Sequence, residues 1–419
     1  MTDQHLRVNG LTEQRFRKSL FTLRLVGIPL NVRSISRAHT VYNCIVVVCF
    51  YITYSACLMD LLFNNDSLMG IMKDIRALLG MQLVVWIHLF FRFRKREIAH
   101  LLALTDSFTW EELPTKDPET GRLTKAGYLP VTQKIASHAS ALIYTFHFVQ
   151  SSVRIATSHD KVFPAWFPFD TTVNPAYAAV NLVQAIGSLF ITCAFAGFLS
   201  LYATFICVAC SQLEKLRAAI LDIRQTYITL QQECGAETNK QDGEGHPLTP
   251  EELFGHMQKQ LNDCIRHHQQ IKRFMQANED CWNFVLCALF LLMLSAMCFV
   301  AFSAITSWGD HVDVSQAVVI YLAMLSCLCV FCWLGTELSK EAESVRDAAW
   351  GCDWVGTPVP FQRCLMFIIA AANKEFTLTA GKFVPVSNKT MMNILSQTVS
   401  FFMFLLQMKD TTNGKKHGI

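Results

Sequence analysis

Seven runs of apolar residues along the chain are each long enough to form a helix that crosses a lipid bilayer, which takes roughly 20 residues. They cover about residues 41–63, 68–91, 135–157, 176–210, 282–307, 314–333 and 383–408. The second run is the weakest, because Lys73, Asp74 and Arg76 lie near its start. A shorter apolar stretch at 361–372 predicts a helix in the cytosol or at the membrane interface. The pattern predicts an all-α, polytopic membrane protein with seven transmembrane helices.

The composition supports this interpretation and excludes several other classes of protein. Hydrophobic residues make up 52% of the chain and charged residues 16%, against about 25% charged in ordinary soluble domains. A soluble protein of this size would need more polar surface to cover its core. The formal net charge of +3 is too small to suggest a nucleic-acid partner. No catalytic motif or metal-ligand cluster stands out in the sequence, so we expect no enzyme, no metal and no cofactor.

Lysine and arginine are concentrated in alternate segments between the runs. They are frequent in 1–40, 92–134, 211–280 and 337–382, and scarce in the segments on the opposite side. Because positive charge favours the cytosolic side, we expect a cytosolic N-terminus and an extracellular tail at 409–419. Spans one to four then occupy 41–210, and spans five and six occupy 282–336. Asn65, in a sequon on the first outer loop, is a candidate glycosylation site.

Two of the predicted cytosolic segments carry helical patterns of their own. Residues 16–30 mix basic and apolar side chains, which is typical of a helix at the cytosolic interface; a plain polar tail is the alternative. Segment 211–281 predicts a helical hairpin around a flexible insert at 232–250, with Pro250 at the start of its second helix. Its two seams have the spacing of a coiled coil. They are Leu213, Leu216, Ile220, Ile223, Tyr227 and Leu230, then Met257, Leu261, Cys264, His268, Ile271 and Met275.

The seventh run carries a polar stripe. The residues that recur along one side of the predicted helix at steps of three and four are Thr390, Asn393, Gln397, Ser400, Phe404 and Gln407. Polar groups that face lipid are costly, so the stripe is predicted to face protein or water. It could form polar contacts between helices, or it could line a pore in which the last span of each subunit surrounds a common axis. The pattern alone leaves both interpretations open.

Four segments together resemble the insect odorant receptor family. They read FPAWFPFD at 163–170, LNDCIRHHQQIKRF at 261–274, GTELSKEAESVRDAAWGCDW at 335–354, and FTLTAGKFVPVSNKTMMNILSQTVSFFMFLL at 376–406. Two departures are Thr336, where the family more often has Asn, and an insert at 232–250 that is longer than expected. The much longer insertion of the family's shared co-receptor is missing, so the chain looks like a ligand-tuned subunit.

The resemblance implies a ligand-gated, non-selective cation channel in the plasma membrane, in dendrites of olfactory sensory neurons. Its expected partners are volatile odorants, membrane lipid, permeating cations, and the co-receptor subunit in a heteromeric tetramer. A metabotropic seven-helix chemoreceptor and, further off, a small-molecule transporter are the alternatives. Expression with the co-receptor in a cell without added G proteins would discriminate them.

The resemblance also places an odorant pocket in the outer half of the helix bundle. Apolar walls with few polar groups suit volatile ligands. The candidate residues are Met72, His147, Ser151, Arg154, Tyr177, Asn181, Val319, Tyr321 and Met324. Arg154 is a functional candidate as an ionised residue near a span, although extension of its charge to the outer interface is the structural alternative.

Two further sets of residues are assigned roles in assembly and gating. Segment 337–382 is expected to form an anchor between subunits, carried by Trp350, Trp354, Phe361 and Leu365; packing against the hairpin of the same chain is the alternative. The pore is expected along Asn393, Gln397 and Ser400. A hydrophobic gate is expected near the outer end of the span, at Phe404 and Met408 beside Gln407, which would close by excluding water.

Overall fold

Ten helices and one small hairpin build the described part of the protein. The computed structural model describes residues 10–28, 37–63, 68–118, 120–237, 250–307, 309 and 311–416. A two-stranded antiparallel sheet, β1 (Thr379–Ala380) and β2 (Val384–Pro385), precedes the last helix. The helices are α1 (Gly10–Leu25), α2 (Arg37–Phe63), α3 (Leu68–Phe93), α4 (Lys95–Asp106), α5 (Lys125–Ser158), α6 (Ala176–Glu237), α7 (Pro250–Thr306), α8 (His311–Gly351), α9 (Val359–Ala372) and α10 (Asn388–Lys416).

The predicted spans fall in seven of these helices: α2, α3, α5, α6, α7, α8 and α10. Within the described residues, five of them (α2, α3, α6, α7 and α8) are long and apolar enough to cross a membrane. The predicted start of the seventh span at 383 is wrong, because the hairpin occupies that segment and α10 begins at Asn388. Gly381 turns the hairpin with φ +69°, a conformation that glycine adopts without a steric cost.

Helix α6 is the centre of the bundle, in contact with α1, α2, α5, α7 and α8. A cluster of buried aromatic rings joins it to its neighbours: Tyr202 lies 5.5 Å from Trp282 on α7 and 5.1 Å from Phe331 on α8, measured between ring centroids. Phe90 on α3 lies 5.3 Å from Trp282. Lipid tails are as apolar as these rings, so the hydrophobic effect contributes little to helix association within the membrane. Van der Waals contact and edge-to-face ring geometry stabilise the packing instead.

Helix α1 packs into the bundle along one face. The ring of Phe16 packs at a tilt against that of Phe205 with 4.8 Å between centroids, and the hydroxyls of Ser19 and Ser200 lie 2.8 Å apart. Leu23 contacts α6 at Gly197, where a Cβ atom would approach the Leu23 side chain to 2.7 Å. The opposite face carries exposed basic residues. The segment predicted to lie at an interface therefore also forms part of the protein core.

The long helices α6 and α7 pack as the predicted antiparallel hairpin, and α7 begins at Pro250 as expected. Apolar residues of both seams are buried, among them Leu216 and Leu261. Two details differ from the prediction. His267 is the buried histidine, with 2% exposure, whereas His268 is only half-buried. Residues 232–237, predicted as flexible insert, continue α6; the rest of that insert up to 249 lies outside the described residues.

The bundle has two ends. We call one of them the inner end: it holds α4, α9 and the helical hairpin of α6 and α7. The distribution of Lys and Arg predicts that this end is cytosolic. The outer end holds the loop at 159–175, named here the outer loop. Phe361 and Leu365 on α9 are buried at the inner end against α7 and α8. Contacts within one chain therefore account for the apolar side chains at these two positions.

Candidate functional site

The outer loop folds down over the outer ends of α5 and α6, where most of the predicted ligand-binding residues lie. Asn181 on α6 accepts a hydrogen bond from the Val162 amide at 3.1 Å. Gln184 accepts from the Phe163 amide at 3.0 Å and donates to its carbonyl at 3.2 Å. The main chain of the loop is thus held by two amide side chains of α6. Tyr177 adds a third contact by donating to the Asp160 carbonyl at 3.0 Å.

His147 on α5 lies beneath this loop. Its ring stacks on Phe163, with 5.3 Å between centroids and 26° between planes. Its Nε2 atom is buried and has no hydrogen-bond partner among the described residues, and the same is true of Gln150 Oε1 one turn away. Ser151, on the same helix, is 9% exposed. This face of α5 therefore presents buried polar atoms that a small polar group could pair with.

Helix α8 completes the region on the other side. Gln150 donates to the Val312 carbonyl at 2.7 Å and so ties α5 to the start of α8. Met324 is buried, and Val319 and Tyr321 are half-buried on the same helix. Sequence reasoning did not find Gln150, because a single glutamine in a half-polar helix carries no signal of its own.

Helix α3 brings charged residues to the outer end of the bundle. Lys73 forms an ion pair with Asp313 at the start of α8. Arg76, 6% exposed, donates to Ser303 on α7 at 3.3 Å and to Gln316 on α8 at 3.1 Å. The charges that weakened the second predicted span therefore connect three helices. Met72, beside them, is 9% exposed.

Arg154 has a partner in the structure. Its Nη2 atom lies 3.5 Å from Asp160 Oδ2 in the outer loop, and its side chain is 18% exposed. This geometry matches extension of the charge towards the outer interface. Asn65, the predicted glycosylation site, lies outside the described residues.

The two sides of α10 differ sharply in burial. Ile394 and Thr398 are buried against the bundle, and Cys298 on α7 donates through its thiol to the Thr398 carbonyl at 3.7 Å. The members of the predicted polar stripe that the chain leaves exposed are Asn393, Gln397, Ser400, Phe404 and Gln407. Thr390 departs from the stripe, because it is buried and donates to the Pro385 carbonyl at 2.6 Å. The side chain of Met408 lies outside the described part.

A cavity of about 460 Å³ opens along the inner half of this exposed side. It lies between α7 and α10, with the β-hairpin as its inner wall. Its lining combines apolar residues such as Phe290 and Leu294 with the polar residues Lys389, Asn393 and Gln397. Sequence reasoning did not predict this cavity, because it depends on how α10 leans on α7.

The four predicted anchor residues separate into two pairs. Phe361 and Leu365 are at most 3% exposed within this chain, where α7 and α8 cover them. This packing fits the alternative of contacts within one chain, and a role between subunits stays a prediction for these two residues. Trp350 is 68% exposed and lies 5.9 Å from the half-buried Trp354. Other large apolar side chains in the segment from the end of α8 through α9 are also exposed. We call this set the inner apolar patch: Trp350, Val355, Val359, Met366 and Phe367.

A network of charges joins α5, α6 and α8 on the inner side of the predicted spans. Lys125 Nζ lies 2.8 Å from Glu337 and 3.1 Å from Glu341. Burial opposes the charge of Lys125, but its two carboxylate partners outweigh burial and raise its pKa. Burial likewise opposes the charge of Glu337, yet hydrogen bonds from Lys125 and Lys340 lower its pKa. Both groups are therefore held in their ionised forms.

The fold and this distribution of residues define a multi-pass helical membrane protein with a covered polar region at its outer end and an exposed polar helix face. A family model described as 7tm Odorant receptor matches residues 68–399. The match covers most of the chain, and the chain belongs to the odorant receptor family. This family is chemosensory and non-enzymatic, as the sequence analysis expected.

Individual relatives agree with this assignment. Odorant receptor 2a of Drosophila melanogaster is 25% identical over 277 residues, which cover 64% of this chain and 66% of that protein. The odorant receptor coreceptor of Ooceraea biroi is 25% identical over 145 residues, 35% of this chain and 30% of that protein. The matches thus span less than two thirds of the length of these relatives.

The fold is similar to that of a solved insect olfactory receptor. OR5 from Machilis hrabei, in complex with eugenol, superposes with a TM-score of 0.73 and 15% sequence identity. The alignment covers 97% of this chain and 100% of that one. At this identity the similarity concerns the fold alone.

Proposed function

We propose that this chain is the odorant-binding subunit of a ligand-gated, non-selective cation channel. A volatile molecule binds among the outer halves of α3, α5, α6 and α8, and its binding opens a pore lined by α10. The observation that carries the proposal is the polar side of α10, which stays exposed in the described chain even where α7 forms the other wall of the cavity beside Asn393 and Gln397. The family to which the chain belongs supports the odorant as ligand.

The physical argument rests on solvation. In an isolated chain within lipid, the amide side chains of Asn393 and Gln397 would face hydrocarbon, which is costly for groups that need hydrogen-bond partners. Ser400 would be less affected, because its hydroxyl donates to the Ser396 carbonyl at 3.0 Å. An assembly in which α10 of each subunit faces a common axis gives these groups water. The stripe carries no acid or base, so we expect weak selectivity among cations. Phe404, 57% exposed, would narrow the pore at its outer end and close it by dewetting.

The inner apolar patch supports assembly with further subunits. Large apolar side chains exposed to water are unfavourable in a monomer and are typical of interaction surfaces. Coreceptors are among the relatives of this chain, and we propose the co-receptor as its partner in a tetramer. The cell surface of olfactory neuron dendrites is the proposed location, with lipid around the bundle and cations in the pore.

The proposed pocket explains how a volatile ligand is recognised. Such ligands offer shape and few polar atoms, so a pocket needs apolar walls and one or two hydrogen-bonding groups. His147 Nε2 and Gln150 Oε1 are buried polar atoms of this kind, and Met72 and Met324 offer adaptable apolar surface.

The test is to express the chain with a coreceptor and record whole-cell currents. The probe is a panel of volatile alcohols, aldehydes, esters and phenols that includes eugenol. Controls are cells with the chain alone and with the coreceptor alone. We expect currents that depend on the chain and persist when the pipette contains a non-hydrolysable GDP analogue. Loss of the current under that condition would establish a metabotropic receptor instead, and uptake of the volatile without current would establish a transporter.

A further inference from the structure

The segment between α9 and α10 is fixed to α7 on one side. The Thr379 amide donates to Glu279 Oε2 at 2.8 Å, and the Thr379 hydroxyl donates to the same carboxylate. The Gly381 amide donates to the Asn283 carbonyl at 2.8 Å, and Lys382 lies 3.2 Å from Asp280. The β-hairpin is therefore bonded to α7 through three of its residues.

On its other side the same segment touches α8 without any intervening side chain. A Cβ atom built on Gly335 would overlap the carbonyl oxygen of Val386 and would lie 2.9 Å from Val386 Cγ1. Val386 is 2% exposed, and its amide donates to the Leu378 carbonyl at 2.7 Å. Only glycine at 335 allows this approach. Because no rotatable side chain lies on the α8 side of the contact, the two segments cannot shift relative to each other by a change of rotamer at that position.

Thr336 connects α8 directly to the first residue of α10. Its hydroxyl donates to the Cys332 carbonyl at 2.9 Å within α8 and accepts from the Asn388 amide at 3.0 Å. The first amides of a helix have no partner within that helix. Here one of them is satisfied by a side chain from a different helix, so the start of α10 is bonded to α8.

We propose that Gly335 and Thr336 are positioning residues that transmit displacement of α8 to the start of α10. The inference rests on the proposed function, in which the outer half of α8 contacts the odorant and α10 lines the pore. Thr336 follows Met324 by twelve positions on one continuous helix, about 18 Å along its axis. A helix of this kind can shift as a rigid unit, and the contact at its inner end then displaces α10.

A purely structural role would be to cap α10, in which case Thr336→Val should lower the amount of protein at the surface and leave the current per surface receptor unchanged. Thr336→Val keeps the shape of the side chain but removes both hydrogen bonds, and Thr336→Ser restores both. Ser339→Ala is the matched control, because the Ser339 hydroxyl lies one turn further along α8 and donates only to the Gly335 carbonyl at 3.1 Å. Surface biotinylation gives the amount of each variant at the membrane.

The experiment uses the chain with its coreceptor and the most effective volatile of the panel. For Thr336→Val we expect the maximal current per surface receptor to fall roughly fivefold, the equilibrium effect of losing the one hydrogen bond that joins α8 to α10. The rank order of volatiles and the reversal potential should stay unchanged, Thr336→Ser should restore the current, and Ser339→Ala should match the original chain.

Two results would overturn the inference while leaving the proposed function in place: equal currents from Thr336→Val and the original chain at equal surface amounts, or loss of current in Thr336→Ser as large as in Thr336→Val. Absence of any volatile-gated current from the original chain would overturn the proposed function and this inference together.

Discussion

His267 is a buried titratable side chain at the inner end of the bundle. Its ring stacks on Trp110 at 4.2 Å with 14° between planes, and Phe108 meets it edge-on at 5.9 Å. The residue precedes the predicted span of α7. Burial disfavours the imidazolium and lowers the pKa of His267 to about 4. The neutral ring is therefore the form that the folded protein accommodates.

We expect the stability of the detergent-solubilised protein to fall as pH decreases from about 6.5 to about 4. In this window the unfolded chain binds a proton at residue 267 and the folded chain does not, so protonation favours unfolding. His267→Phe keeps the stacked ring and should flatten this part of the profile. Thermal unfolding at several pH values measures it. The control is the same substitution at the exposed His256; an equal flattening there would contradict the assignment.

At the outer end, His147 is the residue that we expect to form a hydrogen bond with a polar group on the odorant. His147→Phe keeps the stack on Phe163 but removes Nε2, so the half-maximal concentration should rise roughly fivefold for odorants with a hydroxyl or carbonyl group. Hydrocarbon odorants should be unaffected. Concentration–response curves for matched pairs of volatiles measure the effect.

Arg154→Gln serves as the comparison, because Arg154 pairs with Asp160 in the outer loop. We expect it to act like Asp160→Asn, with similar changes for all odorants. A shift confined to odorants with an acceptor would instead identify Arg154 as a ligand contact.

The sequence predicts which single residues are buried or charged more easily than it predicts which residues contact one another. The seam pattern predicted a buried histidine at 268, whereas the buried one is His267. With 3.6 residues per turn, adjacent positions at the edge of a buried helix face are hard to tell apart from sequence. The bond between Lys125 and Glu337 joins residues 212 positions apart. No local pattern reports such a pair, since it exists only once α5, α6 and α8 have packed.

At the scale of elements, the residues of α10 that pack against the bundle lie on a different helix face from the residues that are exposed. Ile394 and Thr398 carry the contact with the bundle, while Asn393, Gln397 and Phe404 are exposed. Substitutions on the exposed face should therefore change permeation with little effect on folding.

We expect Phe404→Ala to raise the current without odorant or to change relative cation permeability, because a smaller ring of side chains wets more readily. Gln407→Glu should favour divalent over monovalent cations by adding negative charge to the pore. Reversal potentials in mixed ionic solutions measure both. Val399→Ala, exposed on the same helix but outside the stripe, is the control. If neither substitution moves the reversal potential, the stripe does not line the pore.

Element boundaries followed the sequence where a residue type enforces them. Pro250 lacks an amide hydrogen and suits the first turn of a helix, and α7 begins there. The start of α10 was placed five residues too early, since the apolar residues Phe383 and Val384 continue the hydrophobic run but belong to the hairpin. Apolar character identifies a buried segment, whereas the hairpin depends on contacts with Glu279 and Asn283 on a distant helix.

At the scale of the whole molecule, the inner apolar patch is the surface we expect to contact another subunit. Interfaces concentrate their binding energy in a few large side chains, tryptophan among them. Trp350→Ala combined with Phe367→Ala should reduce co-purification with the coreceptor by roughly tenfold or more. Membrane insertion should remain intact, because both side chains are exposed in the isolated chain.

Quantitative pull-down with equal amounts of surface protein measures this effect. The control is the double substitution Ile45→Ala and Val48→Ala on α2, whose side chains are 52% and 54% exposed within a predicted span. Equal loss from both double variants, or no loss from the first, would remove the patch from the interface.

The general architecture was predictable because the bilayer simplifies the problem. Chains that cross it must form helices or closed barrels, so seven apolar runs translated directly into helices. The third and seventh runs, in α5 and α10, are the more polar ones, and within the described residues these two helices are not among the five that are apolar enough to be assigned as spans by composition. The orientation of the termini stays a prediction from the distribution of Lys and Arg.

The way in which the outer loop is held also bears on how odour preference could diversify during evolution. Asn181 and Gln184 bind the loop through the backbone of Val162 and Phe163, so these hydrogen bonds do not depend on which side chains the two residues carry. We therefore expect that the aromatic residue at 163, above the proposed pocket, can be exchanged while these backbone bonds persist. A single substitution of this kind would offer a route to a new odour preference that leaves the attachment of the loop in place.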